Sequence, residues 1–143
     1  MIEKAYIDTS VLAAYYCPEK ISENAEQCLQ SIKAPFISHL TEVELFSVLS
    51  KKYRKKELNK KNVQKILDTV KIHLQENYYQ RILVKTAHYL YAADLLASLN
   101  HAIHSLDALH LSIATCEKTP LITADKNLAK VAKKIQTVIH LIK

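Results

Sequence analysis

The 143-residue chain contains no glycine at all. A GxGxxG turn and a GxxxxGK[ST] loop both depend on glycine to bring backbone N–H groups against phosphate, so dinucleotide and P-loop cofactor chemistry of those kinds are excluded. Cysteine is scarce: Cys17, Cys28 and Cys116 are an odd number, far apart, with no CxxC or Cys/His ligand spacing. They read as reduced thiols of a cytosolic protein, not as a disulfide frame or a zinc site. No apolar run approaches the roughly 18 residues that would span a bilayer. The opening MIEKAYID has no signal-type apolar segment. Neither secretion nor membrane insertion is expected. Linkers, repeats and low-complexity stretches are also missing, which leaves one domain, 1–143, as the expectation.

What is present is an apolar, basic chain. At 49% hydrophobic, it has enough material for a core without staples. Lys plus Arg number 20 against 14 Asp plus Glu, a formal charge of +6 and a pI of about 9.2. That balance favours a polyanionic partner.

The periodicity alternates between strand and helix. Lys4 to Ile7 reads as a strand, and VLAAYY as the helix after it, with Thr9 or Ser10 as cap. A helix from Ser22 to about Ile32, a strand from Pro35 to Ser38, and a helix from Thr41 into the run Lys51-Lys52-Tyr53-Arg54-Lys55-Lys56 come next. Asn59 caps a helix over Lys60 to Gln75, with Val63, Ile66, Leu67, Val70 and Leu74 along one face. Strand Gln80 to Val84, helices Thr86 to Leu99 and Ser105 to Thr115, strand Pro120 to Thr123, helix Asp125 to Lys134 and strand Thr137 to Ile142 complete the chain. Such alternation predicts an α/β fold, a three-layer α/β/α sandwich around a central parallel sheet.

Four acids stand at the polar ends of these apolar segments: Asp8, Glu44, Asp107 and Asp125. In an open parallel sheet the functional crevice lies at the carboxyl ends of the strands. Asp8 follows the first strand directly and Asp125 follows the fourth by two residues. Converging carboxylates repel unless a cation sits between them, so the set reads as a divalent-metal site. Each acid also has a purely local reading. Asp8 and Asp125 suit N-caps, Glu44 completes a Thr41-x-x-Glu44 capping box, and Asp107 meets the positive end of a helix dipole. Glu42 points elsewhere and reads as solvated.

The ordered set Ile7-Asp8-Thr9-Ser10, Leu40-Thr41-x-x-Glu44-Leu45, Ser105-Leu106-Asp107-Ala108-Leu109-His110-Leu111 and Thr123-Ala124-Asp125-x-x-Leu128 resembles the PIN-domain family, and within it the VapC-like toxin ribonucleases. The resemblance spans the whole chain. It implies a Mg²⁺- or Mn²⁺-dependent endoribonuclease, a cognate antitoxin protein and a homodimer. Carried over, it makes Asp8, Glu44, Asp107 and Asp125 the catalytic metal ligands, with Thr9, Ser10 and Thr123 as supporting hydroxyls. Two features depart from the family pattern. His104 stands where an Arg is common, and the glycine usual before the Ser-Leu-Asp motif is missing, with Asn100 the expected left-handed substitute.

Hard carboxylate oxygens suit Mg²⁺ or Mn²⁺, and the expected chemistry is in-line hydrolysis of RNA leaving 5′-phosphate ends. Lys51, Lys52, Tyr53, Arg54, Lys55 and Lys56 are candidates for the RNA path; a solvated basic helix end is their alternative. The helix around Tyr89 to Leu99 reads as core, with a dimer or antitoxin face as the alternative. His101, His104 and His110 keep open a metal-free ribonuclease using paired histidines. A dehalogenase-like phosphatase would need a second Asp where Ser10 stands. A stand-alone nuclease in RNA processing and a non-catalytic RNA- or protein-binding scaffold are the remaining readings.

Overall fold

A computed structural model describes residues 1–143. The elements are β1 (Ile2–Ile7), α1 (Thr9–Tyr16), α2 (Ser22–Gln30), β2 (Ile32–Ile37), α3 (His39–Arg54) and α4 (Lys60–Gln75). There follow β3 (Gln80–Arg81), α5 (Thr86–Ala97), α6 (Ser105–Cys116), β4 (Leu121–Thr123), α7 (Lys126–Lys134) and β5 (Ile139–Leu141). The five strands form one sheet in the order β3-β2-β1-β4-β5. Every pairing is parallel.

Strand alternation divides the core in two. Ala5 and Ile7 of β1 and Ile122 of β4 point to one face, where Val11, Leu12, Leu29, Leu45 and Val70 of α1 to α4 cover them. Tyr6 and Leu121 point to the other, against Leu95, Leu111, Ile113, Leu128 and Val131 of α5 to α7. This is the expected three-layer sandwich. Burying each such aliphatic side chain contributes on the order of 1.5–3 kcal/mol. Pro35 lies within β2 opposite Ala5, but β3 pairs only with Phe36 and Ile37. The position thus has a strand neighbour on one side alone, which is where a residue without an N–H is tolerated.

Several boundaries differ from the sequence reading. Ile32 opens β2 instead of closing α2. A lone apolar residue at a helix end and at a strand start look alike in the pattern, and pairing with Ile2 decides it. β3 is only two residues long, since beyond Arg81 the chain leaves the short edge. The third helix starts at His39, with Ser38 at its N-cap, not at Thr41. Its box is therefore Ser38 with Thr41, whose Oγ1 accepts from the Ser38 N–H at 3.2 Å.

Without glycine, the helix ends are closed by other residues. Lys56, Asn77, Leu99, Lys118 and Gln136 all have φ between 51° and 62°. Each is the second residue after its helix. Asn100 is thus not the left-handed position before the Ser-Leu-Asp segment; Leu99 is. Four of the five form the full paired closure, for instance Lys118 N–H to Thr115 O at 3.1 Å and Thr119 N–H to Ala114 O at 2.9 Å.

Candidate active site

β1 and β4 are adjacent, and the helices that follow them leave to opposite faces: α1 packs in the first core and α7 in the second. That divergence opens a crevice beyond the strand ends. A cavity of about 530 Å³ lies there, and Asp8, Glu44, Asp107 and Asp125 all line it, with Thr9, Ser10, Leu40, Val43 and Lys51 among their neighbours. Four acids separated by up to 117 positions in the chain are thus brought to one place.

Asp8 occupies the N-cap position of α1 but makes no side-chain cap bond; Thr9 and Ser10, the expected caps, already belong to the helix. Its Oδ2 instead accepts from Ser10 Oγ at 2.6 Å and from Thr123 Oγ1 at 2.8 Å. Those hydroxyls accept in turn from backbone: Ala124 N–H to Ser10 Oγ at 3.0 Å and Asp125 N–H to Thr123 Oγ1 at 3.0 Å. The hydroxyls relay the donors of the β4–α7 turn onto Asp8, and chained hydrogen bonds of this kind strengthen one another. The Asp8 N–H also donates to Ile122 O at 2.9 Å, which fixes the end of β1 against β4.

Asp125 keeps its local role. Its Oδ1 accepts from the N–H groups of Asn127 at 2.8 Å and Leu128 at 3.1 Å, capping α7. Glu44 does not: it lies in the second turn of α3, away from the capping box, and its Oε1 accepts from Thr9 Oγ1 at 2.8 Å and meets His110 Nε2. Burial pushes its carboxyl up, but the His110 and Thr9 bonds outweigh that and hold it below the usual range. Glu42 is not solvated either, since it is mostly covered and pairs with Arg81.

Asp107, in the first turn of α6, is the acid without a hydrogen-bonding partner of its own. Burial raises its carboxyl above the ordinary range, and the charges of Asp8, Asp125 and Glu44 raise it further against a smaller opposing pull from His110. Asp107 therefore feels the charge of the other three carboxylates.

In the sequence His110 reads as a residue that packs or bonds locally or as one of the histidines of a metal-free ribonuclease, and Tyr6 as plain strand. Both are at the base of the site. His110 is fully buried; Nε2 meets Glu44, and Nδ1 meets Tyr6 Oη at 2.8 Å. Tyr6 Oη also bonds Ser38 Oγ at 2.8 Å and Thr41 Oγ1 at 3.3 Å. Burial lifts the Tyr6 phenol to about 12, so it stays a neutral hydroxyl. Two signals pointed here. A tyrosine inside a buried strand must give its hydroxyl a partner, and Asp107 and His110, three apart on a helix, share a face. His101 and His104 do not line the cavity.

The basic run divides. Leu40, Glu44, Val48 and Lys51 recur along one stripe of α3 and line the acidic cavity. Ser10, Ala13, Val48 and Lys51 also line an adjoining groove of about 520 Å³ that continues past Lys52 and Lys55. Tyr53, Arg54 and Lys56 line neither; Arg54 bonds Ser50 Oγ at 2.5 Å. Lys52 is held by Glu19 and Glu57, each at 3.7 Å, while Lys51 has no carboxylate within ion-pair distance.

Comparison with known proteins bears on this arrangement directly. The family model for the PIN domain matches residues 5–134. The chain belongs to the PIN-domain family. Solved PIN-fold relatives include VapBC2 from Rickettsia felis bound to a promoter DNA fragment, 19% identical over 98% of this chain and 99% of that one, TM-score 0.67. FitAcB from Neisseria gonorrhoeae is 15% identical over 94% and 95%, TM-score 0.70. VapC20 from Mycobacterium tuberculosis, a sarcin–ricin loop cleaving toxin, is 12% identical over 89% and 94%, TM-score 0.69. No curated protein matches the chain by sequence.

The acids of this PIN domain suit a hard divalent cation. Asp8, Glu44 and Asp125 each keep one oxygen, and Asp107 both, without a protein donor. No three His, Cys, Asp or Glu side chains stand so placed that they could hold one ion between them. Mg²⁺ does not require such a set, because it retains several waters and takes one or two carboxylates. No helix is long and apolar enough to cross a membrane.

Proposed function

We propose that the chain is a Mg²⁺- or Mn²⁺-dependent endoribonuclease, hydrolysing RNA phosphodiester bonds as the toxin of a toxin–antitoxin pair. The observation that carries this reading is the cavity in which four carboxylates from four separate elements meet, each with an oxygen to spare. Asp8 and Asp107 are the principal ligands. Glu44 and Asp125 hold the cation directly or through water. When bound, the cation supplies an activated water and neutralises charge on the scissile phosphate.

The chain's own residues do the rest. Ser10 and Thr123 lock the Asp8 carboxylate so that its free oxygen faces the cavity. Lys51 gives the only cationic side chain on the cavity wall, where it takes a neighbouring phosphate, and Lys52 and Lys55 extend that path. Leu40, Val43 and Leu106 supply apolar lining, against which an unstacked base packs. A solved relative that cleaves a sarcin–ricin loop supports RNA as the substrate. The VapBC relatives support an antitoxin partner. A homodimer, a cytoplasmic location and one nuclease domain over 1–143 belong to the same reading.

The test is cleavage of a mixed-sequence RNA with and without EDTA. Activity stops in EDTA, returns with Mg²⁺ or Mn²⁺, and leaves 5′-phosphate ends; Asp8→Asn lowers it by at least two orders of magnitude with the fold retained. Cleavage in EDTA giving 2′,3′-cyclic phosphates would replace this mechanism with histidine-based transfer.

A further inference from the structure

We infer that His110, braced by Tyr6, is a positioning residue that fixes the Glu44 carboxylate in the site, an inference that rests on the metal-dependent reading above. Glu44 extends from the second turn of α3, and a glutamate there has three side-chain torsions to settle. Thr9 and His110 both engage the same oxygen, Oε1, so the other oxygen is left toward the cavity. His110 is itself held from behind. Its Nδ1 meets the Tyr6 hydroxyl at 2.8 Å, and that hydroxyl meets Ser38 Oγ at 2.8 Å and Thr41 Oγ1 at 3.3 Å.

The connection closes on itself. It starts at the first turn of α3 with Ser38 and Thr41, crosses the end of β1 at Tyr6, passes through α6 at His110 and returns to α3 at Glu44. Three elements that are distant in sequence are thus tied within one ring of bonds, buried except where it reaches Glu44 at the cavity. Only an imidazole fits this task well, because it carries polar atoms on opposite edges of a rigid ring. An aliphatic residue would leave the Tyr6 hydroxyl only Ser38 and Thr41 and the Glu44 oxygen only Thr9, and hydrogen bonds lost at covered polar groups are costly. The tilted contact of the Tyr6 and His110 rings, centroids 5.6 Å apart, fixes the plane of the imidazole as well. Partners behind a ligand of this kind orient it, and their loss typically weakens metal binding by about 10–100-fold.

The experiment is a double-mutant cycle on Mn²⁺ affinity, read from the electron paramagnetic resonance signal of free Mn²⁺, with urea unfolding recorded for every variant. The proteins are wild type, His110→Phe, Glu44→Gln and the double variant. In the wild-type background His110→Phe weakens Mn²⁺ about tenfold or more; in the Glu44→Gln background it adds less than about twofold, because its route to the cation has been removed. His110→Gln, which retains a donor toward Glu44, recovers part of the affinity, and Tyr6→Phe produces a smaller loss of the same kind. These two variants carry the test if His110→Phe does not fold. Equal losses in both backgrounds, or affinity unchanged in folded His110→Phe, would overturn the inference while leaving the metal reading in place. A wild-type protein that binds no Mn²⁺ would remove the metal reading, and the inference with it.

Discussion

Lys118 shows what a chain without glycine must accept one residue at a time. It follows α6 with φ of 51°, a conformation in which a Cβ crowds the following carbonyl. The two backbone bonds it enables, at the end of α6, hold it there. Lys118→Gly should therefore raise stability by about 1 kcal/mol, read as a higher urea midpoint at unchanged slope. An unchanged midpoint would mean that the Lys118 side chain contributes as much through its own contacts as its backbone costs. Glu44 teaches a related lesson. Its spacing from Thr41 satisfied the capping-box pattern, yet Ser38 took the N-cap, and three residues of shift moved Glu44 from helix end to site.

At the scale of elements, α3 is the most economical part of the molecule. Its buried stripe is Thr41, Leu45 and Leu49, of which Leu45 joins the first core, and the adjacent stripe carries Glu44, Val48 and Lys51 into the cavity. A helical period of 3.6 residues sets both stripes at once. The basic run at its end was legible as a unit, but its members face different ways around the helix, so only some reach the groove. Lys51→Ala should raise KM for RNA and make the salt dependence of kcat/KM shallower by about 1 in logarithmic slope, as loss of one phosphate contact does. Arg54→Ala, at a residue that lines neither the cavity nor the groove and is bonded to Ser50, should change neither. α5 is a mixed case. His88, Ala92 and Leu95 pack inward as expected, while Tyr89 and Leu90 are more than half exposed.

For the molecule as a whole, the decisive feature is the crowding of negative charge around Asp107, where Asp8, Glu44 and Asp125 come together from three other parts of the chain. Asp107 titrates above its ordinary range, first because it is buried and then because Asp8 and Asp125 face it. A carboxyl with a raised folded pKa contributes stability that is full at low pH and is lost as pH rises through that folded value. Glu44, held low, works in the opposite sense, adding stability that is lost as pH falls. Comparing Asp107→Asn with wild type at each pH cancels the Glu44 contribution. In EDTA at pH 7 the variant should melt about 2–4 °C higher. The gap should close as pH drops through the carboxylate range, where Asp107 in the wild type gains its proton. On the proposed metal reading saturating Mg²⁺ should reverse the order, since it stabilises the protein that keeps all four proposed ligands more than the one that keeps three. A variant less stable than wild type in EDTA would show that Asp107 is held by something other than its like-charged neighbours.

The layer order, the parallel sheet and the four acids were all legible in the chain, because strand and helix periods and strand-end carboxylates are local patterns. Asp8 and Asp125 could be assigned to one sheet edge for the same reason: one directly follows a strand and the other comes two residues after one. Which acids remain caps and which turn into the cavity was not local. Asp125 caps α7 through N–H groups two and three residues on, but Asp8, which caps nothing, and Glu44, which leaves its box, are held by Thr123 and His110, 115 and 66 positions away along the chain. The roles of Tyr6 and His110 likewise exist only once β1, α3 and α6 are packed together. A hydrogen bond between residues 104 positions apart has no periodicity to announce it, and only the closed tertiary structure brings its two ends within 2.8 Å.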